Sequence, residues 1–362
     1  MVKKYGMTET EHLFSPLQLR GLTLRNRIGV SPMCQYSSED GFATDWHLVH
    51  LGSRAVGGAG LVMAEATGVT PEGRITPACL GIWKDAHIPQ MSRIADFVKH
   101  HGAAIGLQLA HAGRKASMDL PWKGGNRLAA DANGWTPLAP SPIPFAPEHQ
   151  NPHEMSLSDI EKLKEAFVAG ARRAEKAGFQ IIEIHGAHGY LLHEFFSPLS
   201  NRRTDNYGDS FENRSRLIIE IAKAIRQTVS SAIVLGARLS CTDWAEGGIT
   251  IDDSVALSKE LKKAGVDFID CSSGFVTGDA KVPFAPGFQV PFAEKIRREA
   301  ELPTAAVGLI TDATQADDII KRGQADMVFL AREMLRDPYW PHHAAQTLGL
   351  KPDVPLQYLR GY

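Results

Sequence analysis

The sequence predicts a single (β/α)₈ barrel. Eight short apolar segments recur along the 362 residues, and a helical pattern follows each of them. The segments are continuously apolar rather than alternating, which is typical of parallel strands that are buried on both faces. A doubly wound sheet would need a glycine-rich turn after its first strand, but residues 32–36 contain no such turn. A closed parallel barrel is therefore the favoured fold class.

The predicted strands and helices alternate through the chain. The strands are residues 28–33, 61–66, 104–110, 181–185, 233–239, 268–272, 304–308 and 327–331. The helices lie near residues 46–56, 88–100, 159–177, 211–228, 254–263, 291–300, 313–321 and 338–348. In the clearest helix, Ser158 and Glu161 have the spacing of a capping box, and Gly178 occupies the expected stop position.

A hairpin and two long loops complete the predicted barrel. Leu17–Leu19 and Leu22–Leu24 flank a two-residue turn, which predicts a β-hairpin that closes the bottom of the barrel. The loops at residues 113–156 and 190–212 are rich in polar and turn-forming residues. Long loops that follow barrel strands usually lie over the active site, so both are expected above the C-terminal face.

The chain is expected to form one domain. Residues 1–12 are polar and are predicted to be a flexible extension without a signal peptide, and residues 13–362 to form the barrel and its C-terminal tail. The 39 Lys+Arg nearly balance the 41 Asp+Glu, so neither nucleic acid nor a membrane is expected as a partner. The four cysteines form no CxxC pair, which argues against iron–sulfur and zinc-ribbon sites. The cytoplasm is the expected location.

Small and polar residues follow the predicted strands, at the end where barrel enzymes place their active sites. Gly308 follows the seventh strand, and Ala331 and Arg332 follow the eighth. Barrels often bind phosphate at these two positions, through backbone N–H groups and an arginine. Alternatively, Gly308 permits a tight turn and Arg332 pairs with a surface acid. The spacing alone favours neither interpretation.

Two histidines stand at the end of the fourth predicted strand. His185 and His188 are three positions apart, and Glu183 shares a strand face with His185. This pattern fits a metal site in a lyase or hydrolase barrel. It also fits two donors that bind one oxygen anion. The histidines could equally be unrelated, one in the core and one on the surface.

From residue 13 to residue 362 the chain resembles the Old Yellow Enzyme family, specifically its thermophilic-like bacterial subclass. The resemblance rests on motifs that occur in one order and fall at the strand ends. They are SPMCQY at 31–36, QLAHAGRK at 108–115, HGAHGYLL at 185–192, FSPLSNRRTD at 196–205, FENR at 211–214, AVGLI at 306–310, FLARE at 329–333 and DPYWP at 337–341.

The resemblance implies that FMN binds on the upper face of the barrel. Arg238 would face the N1–C2=O region of the flavin, where a fixed cation stabilises the negative charge that develops on reduction. The cofactor-binding residues that it implies are Ser31, Pro32, Met33, Cys34, Ala66, Gln108, Arg238, Gly308, Ala331 and Arg332. At Cys34, a small buried apolar residue is the alternative interpretation.

The resemblance also implies an NAD(P)H-dependent ene-reductase that works by ping-pong hydride transfer through flavin N5. NADPH or NADH would donate the hydride, and the acceptors would be enones, enals, maleimides, quinones and nitro compounds. His185 and His188 would hold the carbonyl oxygen of the substrate. Tyr190 would protonate the α-carbon, because a phenol with a pKa near ~10 keeps its proton at neutral pH. A metal-dependent lyase or hydrolase that uses the two histidines is the alternative function.

Three further residues are implied to bind substrate. Tyr36 would form a wall of the pocket, and Lys115 would line the access face of the flavin. Arg360, in the C-terminal tail, would enter the active site of a neighbouring subunit. The resemblance therefore implies a homodimer or a homotetramer that binds small-molecule alkenes. No metal is expected.

Overall fold

Eight parallel strands close into a barrel, as the sequence predicts. The computed structural model describes residues 11–362. The strands are β1 (Leu17–Leu19), β2 (Leu22–Leu24), β3 (Ile28–Val30), β4 (Leu61–Gly68), β5 (Ala104–Ala110), β6 (Leu138–Ala139), β7 (His153–Glu154), β8 (Ile181–Gly186), β9 (Val234–Ser240), β10 (Phe268–Ser272), β11 (Thr304–Val307) and β12 (Met327–Leu330). Strands β3, β4, β5 and β8 to β12 form the barrel in chain order.

Helices surround the barrel and alternate with its strands. They are α1 (Asp45–Val56), α2 (Ile88–His100), α3 (Leu157–Lys176), α4 (Leu191–Phe196), α5 (Phe211–Thr228), α6 (Ile251–Lys263), α7 (Val290–Ala300), α8 (Ala313–Lys321), α9 (Arg332–Arg336) and α10 (Trp340–Thr347). Together with the closed strand order, this arrangement confirms the predicted (β/α)₈ barrel.

Helices α1, α6 and α7 begin one to three residues before their predicted starts, and two other helices differ for a reason that the structure shows. Helix α3 begins at a capping box of Ser156 and Asp159, not of Ser158 and Glu161: Ser156 Oγ accepts from Asp159 N, and Asp159 Oδ2 accepts from Ser156 N. The predicted helix at residues 338–348 is preceded by the separate short helix α9. The chain breaks between α9 and α10 because Pro338 has no N–H to continue the first of them.

The interior of the barrel is filled by large side chains that lie against glycines on neighbouring strands. Phe329 pairs with Gly29, and Phe268 pairs with Gly236. A Cβ atom on Gly29 would lie 2.3 Å from the Phe329 ring, and one on Gly236 would lie 2.3 Å from the Phe268 ring. These glycines therefore provide the space in which the two aromatic rings pack.

The predicted hairpin is confirmed. Strands β1 and β2 pair antiparallel, with Leu17 opposite Leu24 and Leu19 opposite Leu22. Leu17, Leu19 and Leu24 pack into the same cluster as the inward-facing side chains of the barrel strands, among them Phe268. The hairpin therefore closes the barrel at the end opposite the site residues.

The long loops contain more secondary structure than the sequence indicates. The loop at residues 113–156 includes the short parallel pair β6 and β7. The loop at residues 190–212 includes the six-residue helix α4, which was not predicted. Every residue of α4 is buried, so its sequence has no alternation between a polar and an apolar face that could indicate a helix.

The structure describes the last residues of the predicted N-terminal extension and the whole C-terminal tail. Residues 1–10 of the predicted extension lie outside the part of the chain that the structure describes, while Glu11 forms a 2.7 Å ion pair with Arg27. The tail ends in a 3₁₀ turn, Leu356–Gly361. Among the helices of residues 11–362, none combines the length and the apolar character needed to cross a bilayer.

Candidate active site

Four polar side chains lie side by side across the neighbouring strands β5, β8, β9 and β10. Gln108 is in register with Glu183, and Arg238 is in register with Asp270. Gln108 Nε2 donates to Glu183 Oε1 over 2.8 Å, and Arg238 Nε lies 3.0 Å from Asp270 Oδ2. All four residues are buried. His185 is in register with Arg238, so this buried polar group continues into the histidine pair.

A cavity of about 370 Å³ opens between the ends of β9 and β12. Its lining includes Arg238 at one side and the three predicted phosphate residues, Gly308, Ala331 and Arg332, at the other. Ser272, at the end of β10, lies between them in the same lining. The structure therefore brings Arg238 and the phosphate residues into one continuous space.

The residues predicted to bind phosphate line the end of this cavity beside β11 and β12. Gly308 has a φ of +120°, and a Cβ atom there would lie 2.8 Å from Gln289 Nε2, so glycine is required on both grounds. Arg336, not Arg332, pairs with Glu333. Arg332 is exposed, and its side chain forms no ion pair within residues 11–362.

The segment that follows β3 turns across the end of the barrel. Ser31 N donates to Leu330 O over 2.9 Å, which fixes the start of the segment beside β12. Pro32, Met33 and Cys34 follow and are half-buried. Tyr36 has a left-handed φ of 48°. The Tyr36 ring also meets the exposed Trp122 edge-on at 6.1 Å, so the tyrosine faces the loop over the barrel.

A bulge in β4 supports this segment from below. The register of β4 against β5 shifts between Ala64 and Ala66, and Ala66 then pairs with Gln108. Glu65, at the bulge, is buried, and its Oε2 accepts from Gln35 N over 2.9 Å. The bulge therefore places Ala66 beside Gln108 while Glu65 anchors the backbone next to Cys34.

The two histidines form one edge-to-face pair. The ring centroids of His185 and His188 are 5.2 Å apart, and their planes are at 88°. His188 Nε2 lies 2.6 Å from Ser272 Oγ, and Ala187 N donates to His185 Nδ1 over 3.3 Å. The possibility that the two histidines are unrelated, one in the core and one on the surface, is therefore wrong.

Tyr190 and Lys115 lie beside the histidine pair. The Tyr190 ring is 5.0 Å from the His185 ring, at 78°. Lys115 Nζ is 5.1 Å from the Tyr190 ring centroid and donates to the backbone oxygens of His188 and Phe275, over 2.8 and 3.2 Å. Lys115 thus joins the histidine loop to the loop after β10.

The family of the chain follows from comparison with known proteins. The model of the NADH:flavin oxidoreductase / NADH oxidase family matches residues 12–351. The chain belongs to this family. It is 51% identical to an NADPH dehydrogenase of Geobacillus thermodenitrificans over 352 residues, which are 97% of this chain and 98% of the relative.

Solved structures agree with this assignment. The old yellow enzyme homologue from Zymomonas mobilis matches with a TM-score of 0.79 and 27% identity, over 95% of each chain. Morphinone reductase in complex with tetrahydroNAD matches with a TM-score of 0.78 and 26% identity, over 95% of this chain and 93% of that one. The resemblance to Old Yellow Enzyme is confirmed, and the chain is an FMN-dependent NAD(P)H oxidoreductase.

The site of this flavin oxidoreductase fits FMN. Ser31 Oγ is buried and has no hydrogen-bond partner within residues 11–362, so it is free to serve a ligand. The cavity joins a buried cation, Arg238, to the exposed guanidinium of Arg332, as a ligand with an electron-accepting ring and a phosphate requires. For the metal-dependent alternative, residues 11–362 contain no group of three or more His, Cys, Asp or Glu side chains that could hold an ion.

Burial keeps the groups beside the flavin oxidoreductase's cavity neutral. Burial lowers the pKa of both His185 and His188 well below the ordinary value for histidine, and Arg238 lowers it further. Burial raises the pKa of Tyr190 and of the Cys34 thiol well above their ordinary values. At neutral pH the site therefore contains two neutral imidazoles, a protonated phenol and a protonated thiol.

The pKa values of the two carboxyl groups beside Arg238 are both raised. Burial raises the pKa of Glu183 to about 8, and the negative charge of Asp270 adds to the shift. Burial raises the pKa of Asp270 to about 6, although Arg238 opposes it. Arg238 thus faces two carboxyl groups, of which the Glu183 carboxyl is mostly protonated at neutral pH.

One predicted residue lies away from the site. Arg360 is exposed in the C-terminal tail, and the tail packs on its own chain through ring contacts of Tyr358 with Tyr339 and of Tyr362 with His342. The single chain therefore does not bring Arg360 into the cavity.

Sequence reasoning missed residues that line the site from the loop after β10. Gln289 is buried and lines the cavity, where its Oε1 accepts from Ser273 Oγ over 2.6 Å. Phe275 lies 6.0 Å from the His188 ring. Neither residue belongs to a recognisable motif, and the only signal was the position of Ser272 and Ser273 at a strand end.

Proposed function

We propose that the chain is an ene-reductase, which reduces C=C bonds conjugated to an electron-withdrawing group. Enones, enals, maleimides, quinones and nitro compounds have this acceptor pattern. The observation that carries the proposal is the histidine pair with Tyr190 beside it. Two neutral imidazoles can donate to one substrate oxygen while the phenol supplies a proton to carbon.

We assign the FMN site to the residues around the cavity. When bound, FMN supplies the two-electron chemistry that links oxidation of NADPH to reduction of the alkene. Arg238 would stabilise negative charge at the pyrimidine side, and Gly308, Ala331 and Arg332 would hold the phosphate. The residues that would contact the ring system are Ser31, Pro32, Met33, Cys34, Ala66 and Gln108.

The protein groups then act on the substrate in a defined way. Donation from His185 and His188 to the carbonyl oxygen withdraws electron density from the conjugated bond, so its β-carbon becomes electrophilic. Tyr190 retains its proton, because burial raises the pKa of its hydroxyl, until negative charge develops at the α-carbon. Tyr36 and Lys115 would form walls of the substrate pocket.

Separate measurement of the two half-reactions tests this proposal. We expect Tyr190→Phe to slow the reoxidation of reduced enzyme by cyclohexenone about 10²–10⁴-fold, because the proton donor to carbon is lost. Reduction of the oxidised enzyme by NADPH needs no proton from Tyr190 and should change little. Anaerobic stopped-flow absorbance of the flavin follows both steps.

The matched control is Tyr207→Phe, which removes a second tyrosine hydroxyl, one that donates to Glu220 away from the cavity. This variant should leave both half-reactions near the wild-type rates. Equal slowing of reduction and reoxidation in Tyr190→Phe would contradict the proposed proton donor. A wild-type enzyme that NADPH reduces but that no activated alkene reoxidises would contradict the ene-reductase function itself.

We further propose a homo-oligomer, a homodimer or a homotetramer, in which Arg360 enters the active site of a neighbouring subunit. The tail exposes Leu356 and Leu359, by 81% and 53%, shortly before Arg360 in the chain, and exposed apolar side chains of this kind are typical of contact surfaces. We place the enzyme in the cytoplasm, since its four cysteines are free thiols. Its proposed partners are small-molecule alkenes and further copies of itself.

A further inference from the structure

A neutral imidazole carries one N–H, so the position of that proton decides whether a histidine can donate into the site. For His185 the answer follows from its backbone contact. Ala187 N donates to His185 Nδ1, which is therefore an acceptor, and the proton resides on Nε2. His185 can thus donate from Nε2 to a ligand.

The corresponding question for His188 depends on Ser272. His188 Nε2 lies 2.6 Å from Ser272 Oγ, while His188 Nδ1 has no partner among the described residues. If His188 Nε2 carried the proton, it would donate to the serine, and Nδ1 would present only a lone pair to the site. If Ser272 donates to Nε2 instead, the proton resides on Nδ1 and is available to a ligand.

The surroundings of Ser272 favour donation from the serine. The other acceptor near its hydroxyl is Gln289 Oε1, at 3.5 Å, and that oxygen already accepts from Ser273 Oγ at 2.6 Å. Gln289 cannot turn to improve the contact, because its Nε2 donates to Val307 O over 2.9 Å. A separation of 2.6 Å is also typical of an O–H donor rather than an N–H donor.

The backbone of His188 is held by hydrogen bonds that do not involve its ring. His188 N donates to Ser240 Oγ over 2.9 Å, and Ser240 Oγ donates to Gly274 O over 3.0 Å. His188 also has a left-handed φ of 60°, a backbone conformation that residues other than glycine rarely adopt. With the backbone fixed and Nε2 in contact with Ser272 Oγ, the tautomer decides which ring nitrogen carries the proton.

We propose that Ser272 is a positioning residue, which donates to His188 Nε2 and so keeps His188 in the Nδ1–H form. In that form both imidazoles donate toward the same ligand oxygen. The inference rests on the proposed function for the role of the pair, but the tautomer can be measured without any substrate. Ser272 is thus the group that makes His188 a second donor beside His185.

The experiment uses the FMN-bound enzyme with ¹⁵N-labelled histidine. Nitrogen NMR distinguishes a protonated from an unprotonated ring nitrogen, and a His188→Asn variant identifies the His188 signals. In the wild type and in Ser272→Thr, which keeps the hydroxyl, we expect the proton on Nδ1. In Ser272→Ala we expect it on Nε2. Ser240→Ala, the matched control, removes a contact to the His188 backbone and should leave the proton on Nδ1.

Binding of a phenolate gives the second readout, through the visible absorbance of the bound flavin. Affinity for 4-hydroxybenzaldehyde should fall about 10- to 100-fold in Ser272→Ala, because one donor to an anion is lost, and should recover in Ser272→Thr. If Ser272→Ala does not fold, Ser272→Cys keeps the volume, weakens the donor and allows the same comparison.

Three results would overturn the inference. The first is a wild-type His188 protonated on Nε2. The second is Ser272→Ala with an unchanged tautomer and an unchanged phenolate affinity. The third is Ser272→Ala that loses FMN while the tautomer stays the same, since the hydroxyl would then serve the cofactor. If the wild type binds no phenolate and reduces no enone, the proposed function fails, and the NMR result still decides the tautomer.

Discussion

The turn that carries the histidine pair is held by groups that never reach the substrate. Gly189 has a positive φ of 69°, and a Cβ atom there would lie 2.1 Å from Phe275 O. Gly189 N donates to His193 Nδ1 over 2.9 Å, and His193 Nε2 lies 2.9 Å from Asp243 Oδ1. The fully buried His193 and Asp243 thus connect the turn to the loop after β9, and they fix the strained backbone on which Tyr190 depends.

Another buried group has a measurable consequence for stability. Burial raises the pKa of Glu183 from an ordinary value of 4.5 to about 8, so the folded protein keeps a proton that the unfolded chain releases. Between these two pH values the folded state binds more protons. Raising the pH through this window therefore lowers the free energy of unfolding.

We expect Glu183→Gln to remove this part of the pH dependence. The variant keeps an oxygen that accepts from Gln108, and it has no proton to lose. The free energy of unfolding of the wild type, from urea titrations with FMN present, should fall from pH 5 to pH 8 relative to that of the variant. Glu165→Gln, at an exposed position, is the control. Parallel curves for the wild type and Glu183→Gln would show that Glu183 is already ionised.

At the scale of elements, the barrel strands were predictable because burial on both faces produces continuous apolar runs. Strands β5 and β10 have the predicted bounds. Strand β3 ends earlier than predicted, at Val30, because the apolar run continues into Pro32 and Met33, which have left the sheet. Helix α4 could not be predicted, since a short helix that is buried on all sides has no periodic pattern.

The site residues that directly follow barrel strands were predictable from the sequence, whereas those on a loop were not. Gly308 and Arg332 follow strands, and the topology of a barrel alone brings strand ends together. Gln289 and Phe275 reach the site from a loop whose path depends on tertiary contacts. The pairing of Ser272 with His188 depends on two ends of non-adjacent strands, and no spacing in the sequence encodes it.

The hairpin provides a test at this scale. We expect Leu24→Ala to lower the free energy of unfolding by about 2–5 kcal/mol, because it opens a cavity in the closed end of the barrel. Leu22→Ala, at the half-buried position opposite Leu19, should have a smaller effect. The rate of enone reduction should remain near the wild-type rate, since the hairpin lies at the end away from the site. If both variants lowered the free energy of unfolding equally, the role of the buried Leu24 side chain in closing the barrel would be contradicted.

At the scale of the whole molecule, the position of Arg360 on the tail raises the question of whether it acts in its own subunit or in a neighbouring one. The single chain contains the histidine pair, Tyr190 and the residues assigned to FMN, but it leaves Arg360 exposed on the tail. If Arg360 acts within its own subunit, the tail must leave its contacts with Tyr339 and His342. If it acts in a neighbour, those contacts persist and present the arginine outward. In a symmetric oligomer each site would then be completed by its partner.

Mixed oligomers distinguish these cases. Arg360→Ala and His185→Ala should each have low enone reductase activity as pure proteins. When the two are unfolded together and refolded with FMN, a heterodimer combines an intact site on the Arg360→Ala subunit with an intact Arg360 on the His185→Ala subunit. Activity should therefore return, at one complete site per heterodimer. Variants that are mixed without unfolding serve as the control. Activity that never exceeds the sum of the two pure variants would place Arg360 in its own subunit or outside the site, because only exchange between chains can assemble a complete site from these two proteins.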